Sequence, residues 1–159
     1  MNLFSLIAGL ASILGLLFSV AALIQASRAS SAAREARDRI VVRTLAEEVE
    51  VVCNRIDHLL DLIEHDRFDE AASRAHEIAS ILSEIPFRRD PYLTEDRKNQ
   101  LLNAREQLRT AGGVMSGNRR QPLSPTQRER VIRVCRSTTM TLREILGTIK
   151  GQLDRGGKA

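Results

Sequence analysis

The chain has 159 residues, 43% of them hydrophobic but only 3% aromatic, and it lacks Trp. A core of Leu, Ile, Val and Ala suits helix packing better than a sheet sandwich, and there is neither sustained period-two alternation nor an Asn-Gly or Asp-Gly hairpin turn. Lys and Arg exceed Asp and Glu by 24 to 20, a net charge of +4 too evenly balanced to point to nucleic acid, and two cysteines make neither a disulfide framework nor a metal site.

The first predicted element is the run from Leu3 to Ile24, which carries no ionisable side chain. As a helix it reaches roughly 33 Å, enough for a hydrocarbon core of about 30 Å. Its Leu, Ile, Phe and Val residues favour insertion by roughly 4 to 8 kcal/mol in total. Only Met1 and Asn2 precede it, so the basic leader of a cleaved signal peptide is missing. Arg28, Arg34, Arg37 and Arg39 follow it, and this asymmetry predicts an outside N-terminus and a cytoplasmic C-terminal portion. The same arginines are candidate contacts for anionic lipid head groups. Within the run, Ser5, Ala8, Ser12, Gly15, Ser19, Ala22 and Ala26 recur at alternating spacings of three and four. Small residues in one narrow seam let two helix backbones approach in lipid, so this face predicts self-association.

From Gln25 to Arg39 the chain is rich in Ala, Arg and Glu with no Gly or Pro, which predicts a helical stalk. A wider apolar stripe then begins: Val42, Leu45, Val49, Val52, Ile56, Leu59 and Ile63 repeat at helical spacing with acids between them. This is the first bundle helix, expected to end near His65, with Asp66 as N-cap of the next. The second helix is predicted from Arg67 to Glu84, with an alanine-rich stripe through Ala71, Ala75, Ile78 and Leu82. Pro86 and Pro91 should break the helical pattern, in a connection tied down by Phe87 and Tyr92. Thr94 caps a third helix, with Leu101, Leu102 and Leu108 inward and Gly112–Gly113 ending it. Ser116 to Leu123 reads as a loop. Ser124, Pro125 and Gln127 form a capping box with proline at the first helical position, opening a fourth helix whose seam is Val131, Cys135, Thr138, Leu142, Ile145, Ile149 and Leu153. Residues 154–159 read as a disordered tail.

Chemistry-bearing patterns are sparse. Asn54, His58, Asp61 and His65 share a face of the first bundle helix, and His76 on the next could approach His58, but the Glu-x-x-His and His-Glu-x-x-His spacings of helical metal sites are absent. No serine elbow or phosphate-binding glycine loop is present. Cys53 and Cys135 lie in apolar stripes and read as buried thiols. Arg119, Arg120, Arg128, Arg130, Arg133, Arg136 and Arg143 cluster late in the chain as a candidate partner surface, without the aromatic residues that stack on single-stranded nucleic acid.

These features predict an all-α protein: a transmembrane anchor (1–26), a juxtamembrane helical stalk (27–39), an antiparallel four-helix bundle (40–153) and the tail. The implied function is a single-pass, membrane-anchored interaction, adaptor or signalling module without intrinsic catalysis or cofactor, with a bacterial inner membrane as the expected location. Its expected partners are the bilayer, a second copy through the anchor, and a cytoplasmic protein. Two alternatives follow from the same residues: a membrane-perturbing effector oligomerising through its anchor, and a metal-dependent hydrolase using the His/Asp face.

Overall fold

A computed structural model describes the backbone of residues 3–88, 92–117 and 123–156, and the side chains of residues 18–87, 92–117 and 123–153. Four helices account for almost all of it: α1 (Leu3–Glu64), α2 (Phe68–Arg88), α3 (Glu95–Gly117) and α4 (Pro125–Gly156). No strand occurs among the described residues. The chain forms two compact units, Met1–Ile40 and Val41–Ala159.

In the first unit the backbone is helical from Leu3 onward and every described side chain is exposed. Phe18 is 74% and Leu23 72% exposed, with Val20 and Ile24 each 48%. Among the described residues no helix is long and apolar enough to cross a membrane. The side chains of residues 3–17, most of the expected span, lie outside those described.

The second unit is a helical bundle around one core. From α1 the core takes Leu45, Val49, Val52, Ile56, Leu59 and Ile63; from α2, Ala71, Ala75, Ile78 and Leu82; from α3, Leu101, Leu108 and Met115; from α4, Val131, Cys135, Leu142, Ile145 and Ile149. Period-3.6 stripes thus coincide with burial, although Leu102 and Leu153 reach only the half-buried margin. Cross-helix partners give the order: Arg55 of α1 meets Glu77 of α2, His76 of α2 packs at Gly112 of α3, and Gln107 of α3 meets Thr138 of α4. Asp57 and Glu50 of α1 then meet Arg143 and Lys150 of α4. Lower numbers on α1 pair with higher ones on α4, so these two run antiparallel.

The connections depart from expectation in three places. Asp66 does not cap α2; it terminates α1 in the left-handed conformation, φ 59°. Its N–H donates to Ile63 O at 3.3 Å while Arg67 N–H donates to Leu62 O at 2.9 Å, the paired bonds of a Schellman motif. Aspartate tolerates this backbone better than most residues, and Arg67 takes the N-cap position instead, its carbonyl accepting from Ala71 N–H at 2.9 Å. Secondly, Pro86 does not stop α2, which continues to Arg88. The proline lies in the final turn and is itself buried, so it removes one bond near an end that would soon be unpaired. Phe87 does not anchor the connection: it is 78% exposed, and Leu93 is buried there instead.

Thirdly, Gly112 and Gly113 lie inside α3, which runs on to Gly117. A Cβ at Gly112 would stand 2.7 Å from His76 Cε1 and 3.3 Å from Ala75 Cβ. The glycine is therefore a notch that lets α2 and α3 approach, not a stop. At the head of α4 the capping box forms as expected, with Gln127 N–H donating to Ser124 Oγ at 3.2 Å and Ser124 N–H donating to Gln127 Oε1 at 3.0 Å. Helix α4 continues through the start of the expected tail to Gly156.

Candidate functional site

The late arginines, read together as a partner surface, divide into different roles. Arg128 reaches across to the end of α1, donating to Ile63 O at 3.2 Å and Glu64 O at 2.8 Å and pairing with Asp66 Oδ1 at 3.0 Å. Those carbonyls belong to the last turn of α1: Ile63 O shares the guanidinium with Asp66 N–H, Glu64 O gains a donor from it, and its charge suits the negative helix end. Arg143 is held by Asp57 at 3.0 Å, and Arg133 by Glu129 one turn earlier at 2.8 Å. Arg136 is exposed, and Arg119 and Arg120 lie outside the described residues. Arg128 and Arg143 are thus engaged within the bundle.

The His/Asp face is also divided. His65 Nδ1 lies 2.8 Å from Asp61 O and 3.4 Å from Asp61 Oδ1, so its ring turns back on its own helix. His58 lines a groove of about 250 Å³ between α1 and α2 with Val51, Arg55, Arg74 and Glu77. Arg74 and Arg55 together hold the Glu77 carboxyl below its usual range, chiefly through the hydrogen bond from Arg74. His76 instead lines the opposite side of α2, in a groove of about 570 Å³ with Asp69, Ser73 and Ser116. His76 Nδ1 is 2.7 Å from Ala72 O, and this bond leaves Nε2 as the free ring nitrogen. The fold separates His58 from His76, and no group of three or more metal-binding side chains converges among the described residues.

Both thiols are buried. Burial pushes the Cys135 thiol up to about 12, and burial, opposed by Arg143, raises that of Cys53. Neither has the lowered pKa of a reactive cysteine.

A third groove, of about 210 Å³, lies between α3 and α4 and includes Gln107, Val114, Arg130, Val131 and Val134. Of its valines periodicity flags only Val131, as part of the α4 stripe, and leaves Val114 and Val134 unmarked. The groove becomes visible when the register of the two helices is known.

Of the expected helix-pairing residues, Ser19, Ala22 and Ala26 are exposed, while the side chains of Ser5, Ala8, Ser12 and Gly15 are outside those described. Arg28, Arg34, Arg37 and Arg39 are all exposed, with Arg39 paired to Glu35 at 2.6 Å. No family model, curated protein or solved structure matches this chain.

Proposed function

We propose that this protein is a single-pass membrane-anchored module whose cytoplasmic helical bundle acts through protein interactions, and that its anchors pair through the seam from Ser5 to Ala26. The observation that carries the reading is an apolar helical segment whose described side chains, from Phe18 onward, are all exposed within their own unit. Phe18, Val20, Leu23 and Ile24 are exposed in succession at the end of a run that begins at Leu3. Contiguous exposed apolar surface on this scale marks a membrane or a partner, and the absence of charge from Leu3 to Ile24 favours the membrane. The arginines that follow support a cytoplasmic bundle and contact with anionic lipid. Within the bundle Arg128, Arg143, His65 and His76 are tied to neighbouring groups, and this supports an interaction role over hydrolysis.

The test uses the full chain expressed in bacteria, followed by alkaline extraction of membranes. Asn2→Cys and Lys158→Cys variants are then labelled in intact cells with an impermeant thiol reagent; the native thiols are buried and give little background. The expected result is carbonate-resistant membrane protein labelled at position 2 and protected at position 158. Recovery in the soluble fraction would overturn the anchor, and the reverse labelling would overturn the orientation. For self-association, cross-linked dimers should be lost when Ala8, Gly15 and Ala22 are replaced by Leu; unchanged dimers would remove the seam from the reading.

A further inference from the structure

The long seams of the bundle are closed by different means, and the α3–α4 seam holds one of the three grooves described above. Between α1 and α4, ion pairs at Asp57–Arg143 and Glu50–Lys150 bridge the helices. Between α2 and α3, the Gly112 notch brings the backbones close. Between α3 and α4 a groove remains, floored by Val114, Val131 and Val134.

Two polar groups at this groove are set for an anion. Gln107 Oε1 accepts a hydrogen bond from Thr138 Oγ1 at 3.3 Å, which fixes the amide so that its NH₂ is the group left to donate. Arg130 lines the same groove and has no ion pair or hydrogen bond among the described residues. The groove also contains Glu106, but Arg109 holds that carboxylate with contacts of 2.7 to 3.2 Å and, chiefly through its hydrogen bond, keeps the carboxyl pKa below the usual range. Glu106 is therefore neutralised by its neighbour in the following turn, and Arg130 is the uncompensated charge.

We propose that the α3–α4 groove binds a short aliphatic monocarboxylate, with its carboxylate on Arg130 and Gln107 and its chain along Val114, Val131 and Val134. One cation and one amide donor match a single carboxylate, and a guanidinium can meet it with two parallel hydrogen bonds. The volume sets the length. At roughly 30 Å³ for each methylene-sized group, as for a water molecule in the liquid, about 210 Å³ admits about seven such groups. Octanoate is thus the natural probe, and with so few atoms in an open groove its affinity should be roughly millimolar. This site is independent of the anchoring proposed above, because all its residues belong to the bundle.

The test is a titration of the full chain, carrying ¹³C-labelled valine methyls, in lipid nanodiscs. Octanoate should produce saturable shifts at Val114, Val131 and Val134 and none at core Val49 or Val52. Acetate and 1-octanol, which supply only the head or only the chain, should bind at least fivefold more weakly. Arg130→Gln should reduce octanoate to the level of 1-octanol, whereas Arg136→Gln, an exposed change outside the groove, should leave it unaltered. Partition into the bilayer is common to all variants and cannot mimic that difference. Equal binding of octanoate and octanol, indifference to Arg130→Gln, or the absence of shifts at the three valines would each overturn the proposal; loss of binding in a variant counts only where its circular dichroism matches the parent.

Discussion

Replacing Arg128 by Ala removes the clasp that joins the head of α4 to the end of α1. Three contacts disappear together: donation to Ile63 O, donation to Glu64 O and the pair with Asp66. A hydrogen bond from a charged donor contributes about 1.5 to 3 kcal/mol when well shielded. The Arg128 side chain is 35% exposed and Asp66 67%, so water partly replaces what is lost, and the ion pair itself adds at most about 1 kcal/mol. The favourable charge at the helix end contributes a further 0.3 to 1 kcal/mol or so. Taken with their overlap, these give a loss of about 1.5 to 3 kcal/mol, or roughly 5 to 15 °C in Tm for a bundle of this size. Arg128→Lys keeps the charge but not the fork, and should lose about half as much. Urea and thermal unfolding of the full chain, followed by circular dichroism, measures both variants. A double-mutant cycle with Asp66→Asn, which retains tolerance for the left-handed backbone, isolates the ion pair at under about 1 kcal/mol. The reasoning is refuted if Arg128→Ala stays within about 0.5 kcal/mol of the parent.

Gly112 and Gly113 provide a paired comparison within one turn of α3. Alanine at Gly113 meets no atom within 4 Å and should stabilise by up to about 1 kcal/mol through helix propensity. At Gly112 the new methyl would press on the His76 ring and disturb its bond to Ala72 O, leaving Gly112→Ala about 1 to 2 kcal/mol below Gly113→Ala, with part of the gap recovered when His76→Ala is added. Equal effects of the two glycine substitutions in urea titrations would remove the notch from the account. Cys135 gives the pH dependence. Its thiol, at about 12 in the fold, lies above the unfolded value near 8.5, so the unfolded chain loses its proton first. The contribution to stability is whole below about pH 8.5 and is lost as pH rises from there toward about 12. Stability measured across that window should fall more steeply in the parent than in Cys135→Ala, and parallel slopes would show that another group controls it.

What could be read from the sequence was local or periodic. The Ser124 capping box needs only residues three apart, and it formed as expected. The core stripes of α1, α2 and α4 depend on a 3.6-residue repeat, and apart from the half-buried Val42 and Leu153 their residues are the buried ones. Errors arose where one local signal admits two structures. An aspartate between two helices suits an N-cap and a left-handed C′ residue, and the hydrogen bonds of the preceding turn select the second at Asp66. A Gly-Gly pair suits a helix stop and a close helix crossing, and only the neighbouring His76 distinguishes them. Pro86 carries the same ambiguity, because a proline costs a helix one hydrogen bond without always ending it, and only two residues of α2 follow it. The roles of the late arginines were illegible for a different reason. Arg128 meets Ile63 and Glu64 across more than sixty residues, so its function depends on helix register and not on its neighbours in sequence.

That register has its own physical basis in the α1–α4 seam. Glu50 and Asp57 are seven residues apart, two helical turns, and so share a face of α1; Lys150 and Arg143 are likewise seven apart on α4. Antiparallel packing lets one spacing match the other, and both pairs close at 3.0 Å. All four side chains are about half exposed, so each pair contributes little to stability. They do not by themselves exclude neighbouring registers. Shifting α4 by one heptad along this seam would bring Glu50 to Arg143 and Asp57 to Arg136, or in the other direction Asp57 to Lys150 and Glu64 to Arg143, and the apolar stripe, which repeats at nearly the same interval, would still find apolar residues opposite. Hydrophobic burial supplies most of the drive to fold but discriminates poorly between such registers. The Arg128 clasp discriminates better, because the residues seven positions away on either side, Gln121 and Cys135, carry no guanidinium to meet the end of α1, and the groove between α3 and α4 has its shape because the neighbouring seams hold those helices in one register.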